Sequence, residues 1–355
     1  IMRWLSSAWG WLRALLFAAV TAAAEEAAPR EFVAAEHPRS AVAAIKAWWP
    51  NRATPALYSL EAWESGLDPA FASAAQALSR GGGDTAPLRA LMREETPDVY
   101  SFPLLKPSFA ELLLNESDAY KASGLPIRRP NSMNNYGLIL NEIGLKPVLD
   151  EVQQKYVWPL AKVLFSEVAH EETEVFTGHH TFLVQYRADE DAGLDMHTDD
   201  SEVTLIVCLG REFQASGLTF CGRMGAADHR HFQHAYMHEP GRAVIHLGRQ
   251  RHGADDITSG ERVNLILWST NGPYRARGSG RDKRGYETES AEPDPRCVSF
   301  THDRDFAIWK DFPKGERGDL ARELNAHRAW CPPRQACYDG MDSVEENLRG
   351  KKTEL

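Results

Sequence analysis

Past residue 178 the hydrophobic period of the chain changes, and this change constrains the fold more than any other feature. His180-Thr181-Phe182-Leu183-Val184-Gln185-Tyr186, Val203-Thr204-Leu205-Ile206-Val207-Cys208-Leu209, Leu218-Thr219-Phe220, Ala243-Val244-Ile245-His246-Leu247 and Val263-Asn264-Leu265-Ile266-Leu267-Trp268 are short, β-branched runs bounded by Gly, Asp, Ser or Pro. Such runs read as strands. No helical pattern lies between them, which predicts an antiparallel barrel or jelly roll.

Upstream the pattern is helical. Residues 30–95 are rich in Ala, Trp and Leu and read as short helices, with Gly81-Gly82-Gly83 as an interruption and Trp48-Trp49 as core. From Pro147 a packing helix carries Val148, Val152, Tyr156 and Leu160 at steps of four. Pro147 suits a first helical position, and Pro159 should kink or end the helix. The expected class is α+β, a double-stranded β-helix (jelly-roll) core buttressed by N-terminal helices. The expected organisation is 1–24 signal peptide or anchor, 25–97 helical N-terminal region, 98–176 helical buttress, 177–272 jelly roll, and 273–355 linker and small C-terminal extension.

Composition excludes several classes. A length of 355 residues allows one or two domains. The 43% hydrophobic and 25% charged residues exclude full disorder and collagen-like structure. A net charge of -10 argues against nucleic-acid binding. Five cysteines are too few for a disulfide scaffold but permit a bridge in an oxidising compartment. Cys331 and Cys337, around Pro332-Pro333, are the expected local bridge, whereas Cys208 and Cys221 read as buried apolar fillers.

The two ends suggest an address. Arg3 and Arg13 precede an apolar run from Leu15 to Ala24, followed by Glu25 and Glu26. This reads as a secretory signal peptide, with an uncleaved anchor or an organelle transit segment as alternatives. Lys352-Thr353-Glu354-Leu355 is similar to the Lys-Asp-Glu-Leu retention signal, departing from it at Thr353. The two together predict the lumen of the endoplasmic reticulum, with membrane contact only if the N-terminal run is uncleaved. Asn115-Glu116-Ser117 is a compatible glycosylation sequon.

The chemistry-bearing residues lie in the strand-rich block. His197-Thr198-Asp199 and His252-Gly253 supply two imidazoles and a carboxylate. Those three groups on one face of a metal make the facial triad of non-haem Fe(II) oxygenases, with three sites left open. The His-x-Asp spacing puts both side chains on one side of an extended segment. Alternation sets Arg262, Asn264, Ile266 and Trp268 on one strand face. Arg262 is then either an exposed strand-start residue or a buried cation that needs an anion, such as a dicarboxylate held bidentately. His229, His231, His234 and His238 lack regular ligand spacing and read as a solvated polar loop. No phosphate-binding loop or nucleophile elbow is present.

Several stretches together resemble the 2-oxoglutarate- and Fe(II)-dependent oxygenases, in the prolyl and lysyl hydroxylase branch. They are Gln185-Tyr186, Asp195-Met196-His197-Thr198-Asp199-Asp200-Ser201-Glu202-Val203-Thr204-Leu205, Gly217-Leu218-Thr219-Phe220, Gly241-Arg242-Ala243-Val244 and His252-Gly253-Ala254. Arg129-Pro130-Asn131-Ser132-Met133-Asn134-Asn135-Tyr136-Gly137 is similar to a segment of the animal 2-oxoglutarate and iron-dependent oxygenase domain-containing protein 2 family. The similarity spans about residues 98–272.

The resemblance implies His197, Asp199 and His252 as Fe(II) ligands and Arg262 as the anchor of the distal carboxylate of 2-oxoglutarate. It implies Tyr186 as a wall of the co-substrate pocket, with Asn264 beside it. L-ascorbate as reductant, O2 as co-substrate and a protein or peptide substrate, prolyl or lysyl, are implied as well. Arg262 stands where several prolyl hydroxylases have lysine. The readings from other classes are a non-catalytic cupin-like binding module and a membrane-anchored scaffold acting through residues 30–95. The intact quartet of His197, Asp199, His252 and Arg262 favours the enzyme. Oligomeric state and the function of 25–97 and 273–355 are not read from the sequence.

Overall fold

Residues 39–79, 84–131, 133–169, 176–276 and 294–297 are described by a computed structural model. The N-terminal apolar run, Gly81-Gly82-Gly83, Cys331, Cys337 and the Lys-Thr-Glu-Leu tail lie outside the described residues.

The alternating runs form antiparallel strands. They are β1 (Arg93–Thr96), β2 (Val99–Pro103), β3 (Gly137–Ile139), β4 (Gly178–Arg187), β5 (Leu194–His197), β6 (Val203–Gly210), β7 (Phe213–Ala215), β8 (Leu218–Arg223), β9 (Phe232–Tyr236), β10 (Arg242–Leu247), β11 (Gln250–Ala254) and β12 (Ile257–Thr270). The larger sheet runs β1-β2-β10-β6-β12-β4-β3, with β7 paired to β12; the smaller runs β5-β11-β8-β9. Every recorded pairing is antiparallel, which gives the two-sheet jelly roll expected from the sequence.

Strand β12 shows why this sequence builds two compartments. Successive side chains of a strand point to opposite faces. Val263, Leu265 and Leu267 therefore join a core that also contains Leu149, Val152 and Leu160 from the helices. Ile266 faces the other way, into a second cluster with Phe182, Val184 and Phe220. The period-two pattern thus sorts one strand into a structural face and a face available to a site.

The helices cover the first face. Those at Arg39–Trp48, Leu60–Gly66, Pro69–Ser79 and Ala86–Leu91 precede β1, and Pro107–Ala122 follows β2. Ser59 caps the second of them by accepting from the Ala62 N–H. Phe71 on the third stacks on Phe102 of β2, centroids 5.4 Å apart, which ties helix to sheet. Trp48 and Trp49 rim this core instead of filling it, because they stand where the first helix passes into a 3-10 turn. Trp48 packs edge-on against Tyr120 and Trp49 against Tyr58.

The helix predicted from Pro147 forms, with an irregularity. Lys146–Val152 and Trp158–Leu164 are α-helical, and Gln153–Val157 between them is a π-helical turn. Pro159 has no N–H to donate to the turn before it. The wider turn absorbs that loss, so the helix resumes with Pro159 in its first turn.

Two expectations are corrected. Cys221 is not a simple filler: it is disulfide-bonded to Cys297, 76 residues on, with Cα atoms 6.0 Å apart. Cysteine spacing alone does not reveal such connectivity. Cys208 is free and buried, as expected. Nor are residues 229–238 a solvated loop. His229 and Arg230 are fully buried, His238 is buried, and His234 lies on β9 with its Nε2 3.3 Å from Glu95. The bridged segment 294–297 packs over this region: the Asp294 N–H donates to the Arg230 carbonyl, and the Arg296 guanidinium lies 3.7 Å from the Phe232 ring centre. Among the described residues no helix is long and apolar enough to cross a membrane.

Closing a loop of this length restricts the unfolded chain. Cys297→Ser is expected to lower stability by about 4 kcal/mol in oxidising buffer. Under dithiothreitol the variant and the parent should unfold at nearly the same denaturant concentration. Equal stability under oxidising conditions would count against the bridge.

Candidate active site

The two sheets face each other across a cavity of about 40 Å³. From the smaller sheet and the turn after it come His197, Asp199, Leu218 and His252; from the larger come Phe182, Tyr186, Arg262, Asn264, Ile266 and Trp268. The Arg262, Asn264, Ile266 and Trp268 face read from alternation is one wall of this space.

His197 ends β5 and His252 sits opposite it on β11 in register, with ring centres 4.3 Å apart. Gly253 allows this close pairing, since a Cβ there would press on the Leu194 carbonyl and the Met196 side chain at 3.0 Å. Asp199 lies just past β5, where its N–H donates to the Gly248 carbonyl. One ligand atom from each of the three residues falls within 4.8 Å of the others. His197 Nε2 is 3.4 Å and His252 Nε2 3.8 Å from the Asp199 carboxylate.

The hydrogen bonds orient this set for a cation. His197 Nδ1 is 2.8 Å from the Asp195 carbonyl, and His252 Nδ1 is 3.0 Å from the Gln250 carbonyl. A carbonyl only accepts, so each Nδ1 carries the hydrogen and each Nε2 keeps its lone pair for a metal. The Thr204 hydroxyl donates to Asp199 Oδ2 at 2.6 Å. Burial holds the His252 imidazole down to about 3, against the pull of Asp199, so it is neutral at physiological pH. Burial alone would raise the Asp199 carboxyl, but His252 and the hydrogen bond to His197 hold it well below the usual carboxylate range. Two imidazoles and one carboxylate converge, and the donor set fits Fe(II).

At the other end of the cavity Arg262 is 0% exposed. Its guanidinium lies 4.5 Å from the centre of the Tyr186 ring, the cross-strand neighbour on β4. Nε, Nη1 and Nη2 all lack a protein hydrogen-bond partner. A buried unpaired cation costs several kcal/mol, and an anion accepting from the guanidinium would offset that cost. This decides between the two readings of Arg262 in favour of burial.

Asn264 is also buried, and its amide nitrogen is 3.2 Å from His238 Nε2. Burial first, and then Arg262, push the His238 imidazole well below its usual value.

Three residues of this site escaped sequence reasoning. His238 comes from a run that reads as solvated. His246 on β10 packs against His252 with ring centres 4.7 Å apart, hidden in an ordinary strand pattern. Asn134 lines the cavity and donates to the Tyr186 hydroxyl at 3.2 Å. Its segment, Arg129 to Gly137, stood out by its family resemblance, but that resemblance gave Asn134 no role.

Residues 49–170 match a family model described as the OGFOD2-like domain. A 2-oxoglutarate and iron-dependent oxygenase domain-containing protein CP2 of Arabidopsis thaliana is 40% identical over 53% of this chain and 49% of its own length. The 2-oxoglutarate and iron-dependent oxygenase domain-containing protein 2 of Xenopus tropicalis is 38% identical over 48% of each chain. Among solved structures, a Pseudomonas putida prolyl-4-hydroxylase aligns at 14% identity and a TM-score of 0.35, covering 58% of this chain and 97% of that one. The chain spans about half the length of the two curated relatives named here. The chain thus matches the OGFOD2-like domain over residues 49–170 and is similar, over about half its length, to the 2-oxoglutarate and iron-dependent oxygenase domain-containing proteins.

Proposed function

We propose that the chain is an Fe(II)- and 2-oxoglutarate-dependent dioxygenase that hydroxylates a C–H bond, on a prolyl or lysyl side chain of a protein, with release of succinate and CO2. The observation that carries this reading is the unpartnered, fully buried Arg262 guanidinium in the same cavity as the His197, Asp199 and His252 triad. A metal site alone fits many chemistries. A metal site that shares its cavity with a fixed cation fits a small dianion bridging the two.

His197, Asp199 and His252 would hold the iron. Bound there, Fe(II) supplies the redox chemistry that couples decarboxylation of 2-oxoglutarate by dioxygen to substrate hydroxylation. The chain's own work is positioning. Arg262 receives the distal carboxylate through charge-assisted hydrogen bonds. The Tyr186 ring packs against the guanidinium, and Asn264 stands on the same wall. Phe182, Val184, Leu218 and Ile266 exclude water from the space between. L-ascorbate as the reductant that maintains the iron rests on the family resemblance.

The Cys221–Cys297 bridge supports work in an oxidising compartment. The endoplasmic reticulum lumen is the reading that unites it with the two terminal motifs. Deleting Lys352 to Leu355 from a tagged chain should then release it into the medium, and unchanged retention would argue against that address.

Incubation with Fe(II), ascorbate and labelled 2-oxoglutarate should yield labelled succinate, stimulated by a suitable prolyl or lysyl peptide. Absence of succinate from the metal-loaded protein would sink the enzyme reading. Arg262→Ala should raise the KM for 2-oxoglutarate on the order of 100-fold, the loss of a charge-assisted pair worth about 3 kcal/mol, with metal affinity within about twofold of the parent. His252→Ala should weaken Mn(II) binding on the order of 100-fold or more, since even partners behind the ligands carry 10- to 100-fold. Electron paramagnetic resonance of free Mn(II) measures this directly.

A further inference from the structure

Asp199 is the one member of the triad that no strand carries. His197 ends β5 and His252 lies on β11, whereas Asp199 falls in the loop between β5 and β6. A ligand on a loop keeps one position only if the loop is locked by hydrogen bonds of its own. On one side the backbone supplies them. The Asp199 N–H donates to the Gly248 carbonyl at 2.8 Å, the Gly248 N–H to the Glu202 carbonyl at 3.0 Å and the Glu202 N–H to the Ser269 carbonyl at 2.9 Å. A Cβ at Gly248 would stand 2.0 Å from the Ser201 carbonyl oxygen, so glycine is what lets that turn approach the loop. On the other side stands Arg275, in the short helix Gly272–Ala276 that follows β12. Its Nε donates to Glu202 Oε1 at 2.6 Å, its Nη2 donates to the Asp200 carbonyl at 3.0 Å, and its Nη1 is 3.1 Å from Asp200 Oδ1.

We propose that Arg275 is a positioning residue for the metal site: by gripping the Asp200 main chain and the Glu202 carboxylate together, it closes the loop 199–202 and fixes the Asp199 carboxylate opposite His197 and His252. This rests on the metal-site reading of the triad. The side-chain bonds of Arg275 go to the residues beside the ligand, so it acts through the loop. Glu202 is buried, and its Oε2 accepts from the Asn271 N–H at 2.5 Å. Asn271 in turn donates through Nδ2 to the Val168 carbonyl at 2.9 Å and accepts through Oδ1 from the Tyr274 N–H at 3.1 Å, so the grip has a buried anchor. Within the loop the Ser201 hydroxyl is 2.8 Å from the Thr204 hydroxyl, which donates to Asp199 Oδ2. The planar fork of a guanidinium engages a carboxylate and a carbonyl at once, in a geometry that an ammonium does not reproduce. Removing it leaves the buried Glu202 carboxylate without its cation, a cost that the loop relieves by turning Glu202 toward water. Arg275 lies outside residues 98–272, the stretch that carries the family resemblance.

The test titrates Mn(II) into the full chain and follows the free ion by electron paramagnetic resonance. Arg275→Met keeps the apolar stem and removes the guanidinium. It should raise the Kd for Mn(II) about tenfold, the lower end of what partners behind metal ligands carry. Arg211→Met is the control. It removes an arginine of like exposure that pairs with Asp118 and Glu261 away from the triad, and it should bind Mn(II) like the parent. Amide exchange without metal should quicken at Asp199, Gly248 and Glu202 in Arg275→Met and stay parent-like in β4 and β12. An Arg275→Met effect below about twofold overturns the assignment of Arg275 and leaves the metal-site reading standing. An equal loss of Mn(II) affinity in Arg211→Met, or exchange that quickens throughout the sheets, overturns it as well, because the loss is then one of general stability. Parent protein that binds no Mn(II) overturns both readings. Should Arg275→Met not fold, Arg275→Lys decides: its ammonium can hold Glu202 but not the Asp200 carbonyl in the same geometry, so the Kd should rise about threefold. Parent-like binding by that variant overturns the proposal.

Discussion

A strand buried on both faces must satisfy two environments at once, and β12 does so in the middle of the larger sheet between β6 and β4. Val263, Leu265 and Leu267 are committed to the helical side. The intervening residues are committed to the cavity. A slip of one position in its register would turn Arg262 into the apolar core and the leucines into the site. The ten-residue pairing with β4, from Glu261–Arg187 to Thr270–Gly178, holds that register and sets Tyr186 directly across from Arg262.

The electrostatics of the cavity follow from this arrangement. Burial holds the His252 and His238 imidazoles below their usual values, and Arg262 carries a fixed positive charge. Asp199 stays ionised at the opposite sheet because two imidazoles and the Thr204 hydroxyl surround it. The triad end thus offers donors that a cation could use and the arginine end donors that an anion could use, with apolar residues between the two. A ligand that is anionic at one end and metal-chelating at the other satisfies both, which no single polar group of the protein does.

The smaller sheet carries the two histidines, and its back is sealed by the bridged segment 294–297. Cys221 on β8 packs against Met196, the neighbour of His197 on β5. Arg251, the neighbour of His252, donates through Nε to the Cys297 carbonyl at 2.6 Å. The covalent link thereby holds a short stretch of the C-terminal region against the residues adjacent to both imidazole ligands. A small sheet of four strands has little core of its own, and this cover supplies the other side of it.

The jelly roll, its helical support, the His197, Asp199 and His252 triad and the Arg262 face were legible in the residues, because each rests on local periodicity or on a short motif. The π-helical turn before Pro159 was half legible: proline chemistry demands an irregularity there but does not choose its form. Cys221–Cys297, the burial of His229, Arg230 and His238, and the bond from Asn134 to Tyr186 were not. Each depends on a partner far along the chain, 76 residues away for the disulfide and 52 for the Asn134 bond to Tyr186. Sequence by itself determined which faces are apolar and which residue types can bind a metal or an anion. Only the tertiary structure decided which of them meet, because a buried polar side chain is committed by the neighbours that satisfy it, and those neighbours are brought together by the pairing of strands.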